Sequence, residues 1–295
     1  MSFAVFTDTS ANLPSPLAAA REIGIVPFSY YVKGEEFNCL DTESFDGDAY
    51  YESIRNGLEV STSQVPPQRF VDHFEPLLQA GKDVLFVSLS SGVSGSCNSA
   101  RMAARQLQED YPQRQVVVVD TLGASLGEGM VALKAADCRD AGMSLADTLS
   151  VLERMVRRLC QVFTVDNLMH LRRTGRLSNF SAVVGTVLQI KPILIGNPEG
   201  KIVAIAKLRG RKRSIEELAA RYEQLVEEHE KALVCIAHAG CRQDAEYLVS
   251  LLNQNKPPRE ILLVDYEPVT GSHVGPGALA LFFNSNRDDV REMDK

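Results

Sequence analysis

A chain of 295 residues with 45% hydrophobic and 23% charged side chains is long enough for one large α/β domain or two smaller ones sharing a cleft, and too apolar for extended disorder. Its net charge of −7 argues against a general attraction to nucleic acid or anionic lipid, and with no Trp and 7% aromatic residues a stacking platform for bases or sugars is hard to build. No apolar run approaches the roughly 18 residues of a membrane span.

The N-terminus passes from MSFAVF straight into a polar turn, without the h-region or cleavage site of a secretory leader. The six cysteines (39, 97, 138, 160, 235 and 241) show no CxxC pairing. They are expected to be reduced core residues of a cytoplasmic protein rather than disulfide partners or zinc ligands.

In chain order, AVFT (4–7), GIVPFSYYV (24–32), VLFVSLS (84–90) and VVVVDT (116–121) are strand-like. Helical patterns cover 67–80, 95–109, 126–140 and 144–158. A run such as VVVV, apolar on every side, fits a strand buried on both faces of a parallel sheet, and strand-helix alternation favours an α/β sandwich. Three polar segments interrupt this pattern. FTDTSANLP (6–14) ends the first strand with Asp8, Thr9 and Ser10, where Asp8 is a candidate site carboxylate or a cap for the next helix. STSQVPP (61–67) reads as a loop and helix cap, with its three small hydroxyl residues as candidate ligand contacts. LSSGVSGSCNSA (89–100) is a strand-to-helix turn, with its helix expected to start near Ser94. Such a turn sets hydroxyls and free amides at the carboxyl end of a parallel strand, a place suited to an anion, although Ser94 could equally be only a cap. The glycine spacing is wrong for a nucleophile elbow, and no GxxxxGK[ST] phosphate loop or dinucleotide fingerprint occurs.

The second half changes texture. CQVFTV (160–165) is strand-like, and DNLMHLRR is a helix with Asp166 as its expected cap. FSAVVGTVLQI (180–190) reads as a buried helix, and KPILIGNPEGKIVAIAKL as two strands joined by an Asn-Pro-Glu-Gly turn. An amphipathic helix over 211–229 precedes the strand 232–240, a helix over 242–254 and the strand 260–266. LRRTGRLSNF (171–180) carries three arginines, and KLRGRKR (207–213) has five basic residues in seven. The latter could be a solvated helix start, a nucleic-acid patch, or a dock for an anionic group or acidic partner. His273, bracketed by Gly271, Gly275 and Gly277 before the helix-like ALALFF, is the histidine best placed to meet a ligand; 73, 170 and 229 look like helix-surface residues. The fold expected is α/β in two domains, 1–158 with a largely parallel sheet flanked by helices and 159–295 with a mixed sheet, and ligands favour such interfaces.

Together, FTDTSANLP, TSQ, LSSGVSGSCNSA, VVDT, LRRTGRLS, LQIKPIL, LRGRKRSIEEL and HVGPGALALFF resemble the DegV family in order and spacing over nearly the whole chain. That family includes the fatty-acid-binding subunits of bacterial fatty acid kinase. The resemblance implies two α/β domains with a long-chain fatty acid in a tunnel between them, and no cofactor besides that ligand. It implies a carboxylate held by the hydroxyls of Thr62, Ser63 and Ser94 and the amides of Gly95 and Ser96, with His273 near the head group. Arg209 and His273 would support phosphoryl transfer, and Arg176 would join them there or in kinase docking. The transfer itself would be catalysed by a separate ATP-dependent kinase, and the acyl-phosphate product passed to phospholipid synthesis. Val65 and Pro66 replace the family's usual TSQPS ending, and LRRTGR its commoner LxxGGR, changes expected to alter loop shape rather than head-group chemistry. The rivals from other classes are a Ser/His acyl hydrolase using Ser94 and His273, and a nucleic-acid module using Arg211 and Arg213.

Overall fold

The computed structural model describes residues 3–178 and 190–287. The helix expected over 180–190 falls almost wholly outside them. In chain order the elements are β1 (Phe3–Asp8), α1 (Ser15–Ala20), β2 (Ile23–Val26), β3 (Ser29–Val32), β4 (Glu35–Phe37), α2 (Gly47–Arg55), β5 (Val60–Ser63), α3 (Pro67–Gln79), β6 (Asp83–Ser88), α4 (Ser96–Asp110), β7 (Val116–Asp120), α5 (Leu126–Asp140) and α6 (Leu145–Arg158). There follow β8 (Leu159–Thr164), α7 (Met169–Arg173), β9 (Ile190–Gly196), β10 (Ile202–Arg209), α8 (Arg211–Leu225), β11 (Leu233–His238), α9 (Arg242–Asn255), β12 (Glu260–Asp265), α10 (Pro268–Val274) and β13 (Leu279–Asn284). They sort into two compact units, Met1–Phe45 with Val60–Val156, and Asp46–Glu59 with Arg157–Lys295. The excursion of Asp46–Glu59 into the second unit carries no signal in the sequence.

The first unit has a parallel sheet in the order β2-β1-β6-β7 and a small antiparallel sheet in the order β4-β3-β5. GIVPFSYYV, read as one strand, is split between these sheets. Pro27 has no N–H to give to a ladder, so the chain leaves the parallel sheet there and restarts at Ser29 in the other. The core joins β6 to α3 through Phe86, which meets Phe70 at 4.9 Å between ring centroids and Phe74 at 5.7 Å. All three rings are buried, and burying each contributes roughly 1.5–3 kcal/mol. Helix α5 is buried on nearly every side, which explains why its pattern reads as apolar rather than amphipathic.

The second unit has a mixed sheet in the order β10-β9-β8-β13-β11-β12, in which only β11 and β12 run parallel among the described pairs. ALALFF is its central strand β13, not a helix. An apolar run buried on both faces has no alternation to distinguish it, and Gly275 and Gly277 before it set the turn. Helix α8 stops at Leu225 rather than 229, because Val226 turns extended and bridges to Ser285. Its core face includes Tyr222, whose ring meets Phe283 of β13 edge-on at 5.2 Å and whose hydroxyl donates to the Lys256 carbonyl at 2.8 Å.

Candidate functional site

Within the first unit, β6 leaves the parallel sheet at Ser88 and the chain makes a tight turn before α4. The helix starts at Ser96, two residues later than the expected Ser94, with Gly95 at the cap. Ser94 is part of the turn: its backbone N–H bonds to the Ser90 carbonyl at 3.2 Å. Its hydroxyl donates to Ser96 Oγ at 3.1 Å and accepts the Ser96 N–H at 3.2 Å. The N–H of Gly95 has no acceptor among the described residues, as is usual for the first turn of a helix.

The STSQVPP segment meets this turn. Thr62 and Ser63 lie on β5, a strand rather than a loop, paired to Tyr30 and Ser29 of β3. The N–H of Val65 donates to Ser96 Oγ at 3.0 Å, and Gln64 Nε2 reaches Ser99 Oγ at 3.5 Å. A methyl group on Gly95 would stand 1.9 Å from Gln64 Oε1, so the glycine leaves room for the end of the Gln64 side chain to lie against the turn. The structure thus brings the TSQ strand end and the SGVSGS turn together at the amino end of α4. Ser96 is fully buried, and its hydroxyl and amide serve this closure in part, so the half-exposed Ser94 hydroxyl and the Gly95 amide are the groups best able to turn to a ligand. Gln64 is the contributor that residue types alone did not single out.

Asp8 ends β1 and caps the short turn Thr9–Ala11, accepting the Ser10 N–H at 2.9 Å. It is fully buried, as is Glu128 in the first turn of α5. Ser10 Oγ stands 2.5 Å from Asp8 Oδ1 and 3.0 Å from Glu128 Oε2, and Thr7 Oγ1 donates to Glu128 Oε1 at 2.6 Å. One hydroxyl has one proton, so its second carboxyl contact calls for a proton on the acid. No cation pairs with either group among the described residues, and burial drives both upward, Asp8 to about 7 and Glu128, beside the Asp8 charge, well above the usual range.

In the second unit, His273 lies in the last turn of the short helix α10 and not in a loop. Burial, then the neighbouring Arg176 guanidinium, push its imidazole down to about 4, so the ring is neutral at pH 7. Arg176 is itself half-buried and donates to the Thr174 carbonyl at 2.5 Å. Arg176 is therefore within electrostatic reach of His273. Arg209, at the exposed end of β10, shares no hydrogen bond or ion pair with either among the described residues. The glycines after His273 are close-approach points: a Cβ on Gly275 would lie 2.3 Å from the His170 ring, and one on Gly277 2.2 Å from the Asp166 carboxylate. His170 is thus half-buried against α10, not a helix-surface residue. Nor does Asp166 cap α7: Asn167 accepts the Met169 N–H at 2.9 Å, and Asp166 pairs with Lys191 at 2.7 Å.

Helix α2 holds α10 and the strand ends beside it. Tyr51 donates to the Tyr266 carbonyl at 2.5 Å, Tyr50 to the Pro268 carbonyl at 3.0 Å, and Arg55 to the Gly240 carbonyl at 2.7 Å. The Tyr51 hydroxyl lies against Gly271, where a Cβ would come within 1.9 Å.

These arrangements suit anion binding better than nucleophilic catalysis. Ser94 donates to another hydroxyl, and the first unit's histidine, His73, faces the Arg69 carbonyl at 2.7 Å. Ser94 also lacks the strained backbone of an elbow, its φ not being positive. In the basic cluster Arg211 is committed to Asp244 at 2.8 Å, while Lys207, Arg209 and Arg213 form no ion pair among the described residues. No helix among the described residues is long and apolar enough to cross a membrane, and no three of their His, Cys, Asp or Glu side chains group as metal ligands.

The sequence profile of a family described as "Uncharacterised protein, DegV family" matches residues 2–286. A DegV domain-containing protein of Clostridium perfringens (strain 13) is 36% identical over 282 residues, covering 95% of this chain and 97% of that protein. Among solved structures, a fatty-acid-binding DegV family protein from Thermus thermophilus is similar with a TM-score of 0.87 at 30% identity, over 97% of this chain and all of that one. DegV of Bacillus subtilis, described as a fatty acid binding protein, is similar with a TM-score of 0.83 at 28% identity over the same shares.

Proposed function

Because the chain belongs to the DegV family, we propose that it binds a long-chain fatty acid, as its solved relatives from Thermus thermophilus and Bacillus subtilis are described as doing. The acyl chain occupies a buried tunnel, and its carboxylate is gripped by the hydroxyls of Thr62, Ser63 and Ser94 and the amides of Gly95 and Ser96, with His273 near the head group. The observation that best supports this assignment is the convergence of β5 and the Ser90–Gly95 turn on a helix amino end whose Gly95 N–H has no acceptor among the described residues. Sixteen carbons contribute a gross driving force near ~12 kcal/mol on burial, before binding costs. A carboxylate drawn in with them loses several kcal/mol unless hydrogen-bonded. Hydroxyls and helix-terminal amides supply those bonds without a fixed counter-ion, and the neutral His273 ring adds a donor or acceptor without a charge.

We further propose that the protein is the lipid-carrying subunit of a two-component fatty acid kinase, without catalytic machinery of its own. It would present the carboxylate to a separate ATP-dependent kinase and keep the acyl-phosphate. Arg176 beside His273 would offset the charge that phosphorylation adds, and the exposed Arg209 would face the kinase or its nucleotide.

Purified protein is denatured and the released lipid identified by mass spectrometry, followed by uptake of oleate and palmitate by the emptied protein. A stoichiometric fatty acid is expected. Protein that carries no lipid and takes up neither acid would overturn the assignment, as would hydrolysis of nitrophenyl esters abolished by Ser94→Ala. Acyl-phosphate should form only when kinase and ATP are added; its formation by the carrier alone would reject the subunit role.

A further inference from the structure

The amides of Gly92, Val93 and Ser94 in the Ser90–Gly95 turn all bond back to Ser90, so whatever anchors Ser90 and Ser91 sets the entering end of the turn. Ser90 N–H reaches the Gly123 carbonyl at 2.8 Å. Ser91 N–H reaches Asp120 Oδ1 at 3.2 Å, and the same oxygen accepts the Leu122 N–H at 3.0 Å. Leu122 stands at a φ of 49° and Ser125 at 53°, a backbone that non-glycine residues avoid, so this loop is held in shape by its bonds. The second oxygen, Asp120 Oδ2, lies 3.5 Å from Arg101 Nη2 on α4, the helix that Gly95 opens. One carboxylate at the end of β7, with a side chain 13% exposed, thus reaches the turn, the loop that supports it, and the helix whose amino end completes the site.

We propose that Asp120 is a positioning residue of the carboxylate grip: it sets the turn so that the Ser94 hydroxyl and the Gly95 N–H converge on one anion. Asp120 does not touch the ligand. It can have this role only if Ser94 and Gly95 hold the carboxylate as proposed above, and the experiment separates the two ideas. Asparagine at position 120 keeps the size, but it sets either an amide nitrogen against Arg101 or one against the Ser91 and Leu122 N–H groups.

Affinities for palmitate and for hexadecanol are measured on wild type, Asp120→Asn and Ser94→Ala. The alcohol shares the chain and lacks the carboxylate, so the ratio of the two affinities reads the grip alone. Asp120→Asn should weaken palmitate about tenfold, the loss of one well-placed hydrogen bond to a charged group, while hexadecanol binding stays unchanged. A general structural loss would lower both together. Unchanged discrimination in Asp120→Asn with reduced discrimination in Ser94→Ala would overturn the role of Asp120 and leave the grip standing. Unchanged discrimination in both would overturn the grip itself. Should Asp120→Asn not fold, Arg101→Met removes the outer contact, together with the exposed Arg101 bond to Asn98. A partial fall in discrimination is then expected, and a ratio equal to wild type would reject the proposal.

Discussion

In the proposed grip, Gly95 both leaves room for Gln64 against the turn and offers its N–H to the carboxylate. Its backbone is ordinary, with a φ of −74°, so an alanine there meets no conformational penalty. The added methyl would meet the far end of the exposed Gln64 side chain, which can swing aside. Gly95→Ala should therefore change the unfolding midpoint little, while displacing Gln64 and crowding the unused N–H. Fatty-acid affinity is expected to fall about tenfold, measured by titration against wild type; an unchanged affinity would remove Gly95 from the site. Asp8 and Glu128 make a different prediction. Their folded values are raised, so the native state keeps a proton that the unfolded chain releases near pH 4. The stability due to that proton is complete below about pH 4 and is lost as pH rises through about 7 and beyond. Denaturant midpoints should fall from pH 5 to 8, and Glu128→Gln, which keeps a donor toward Ser10 and an acceptor for Thr7, should flatten that slope. Two superimposable profiles would show that the pair holds no proton.

The element scale separates what the pattern of residues could say from what it could not. Strands β6, β7, β11 and β12 and helices α3, α4, α5 and α9 were legible from apolar runs and periodicity. The two segments of the proposed grip were visible too, as hydroxyl-rich stretches at a strand end and a helix start. ALALFF was not, since a strand buried on both faces and a buried helix segment look alike at that length. Helix α2 went unread because its stabilising contacts are tertiary: Tyr50, Tyr51 and Arg55 all donate to carbonyls some 185 to 218 residues away. Likewise, Asp120 and Gln64 find partners in other segments, which spacing along the chain does not reveal. Tyr51 is fully buried with its hydroxyl bonded, so Tyr51→Ala should destabilise the second unit by about 3–5 kcal/mol, and Tyr51→Phe by about 1–3 kcal/mol through the unsatisfied Tyr266 carbonyl. Thermal unfolding of both variants checks the order; equal midpoints would mean that α2 braces nothing.

At the scale of the whole molecule, one cut in the chain cannot separate the two units. Residues 157–295 alone lack Asp46–Glu59, which packs with them. That fragment is expected to bind more of a hydrophobic dye than the same fragment with 46–59 joined ahead of it, and to show weaker amide protection along α10. Equal dye binding and protection would show that the second unit is complete without α2. The same excursion has a consequence for synthesis. Tyr51 leaves the ribosome 215 residues before the Tyr266 carbonyl that receives its hydroxyl. At about 5–20 residues per second, the interval is on the order of 10–40 s. Through that interval the apolar face of a nine-residue helix, too short to persist alone, is open to any holdase or protease that meets it. Assembly of the second unit thus includes the late capture of a segment made 215 to 218 residues earlier.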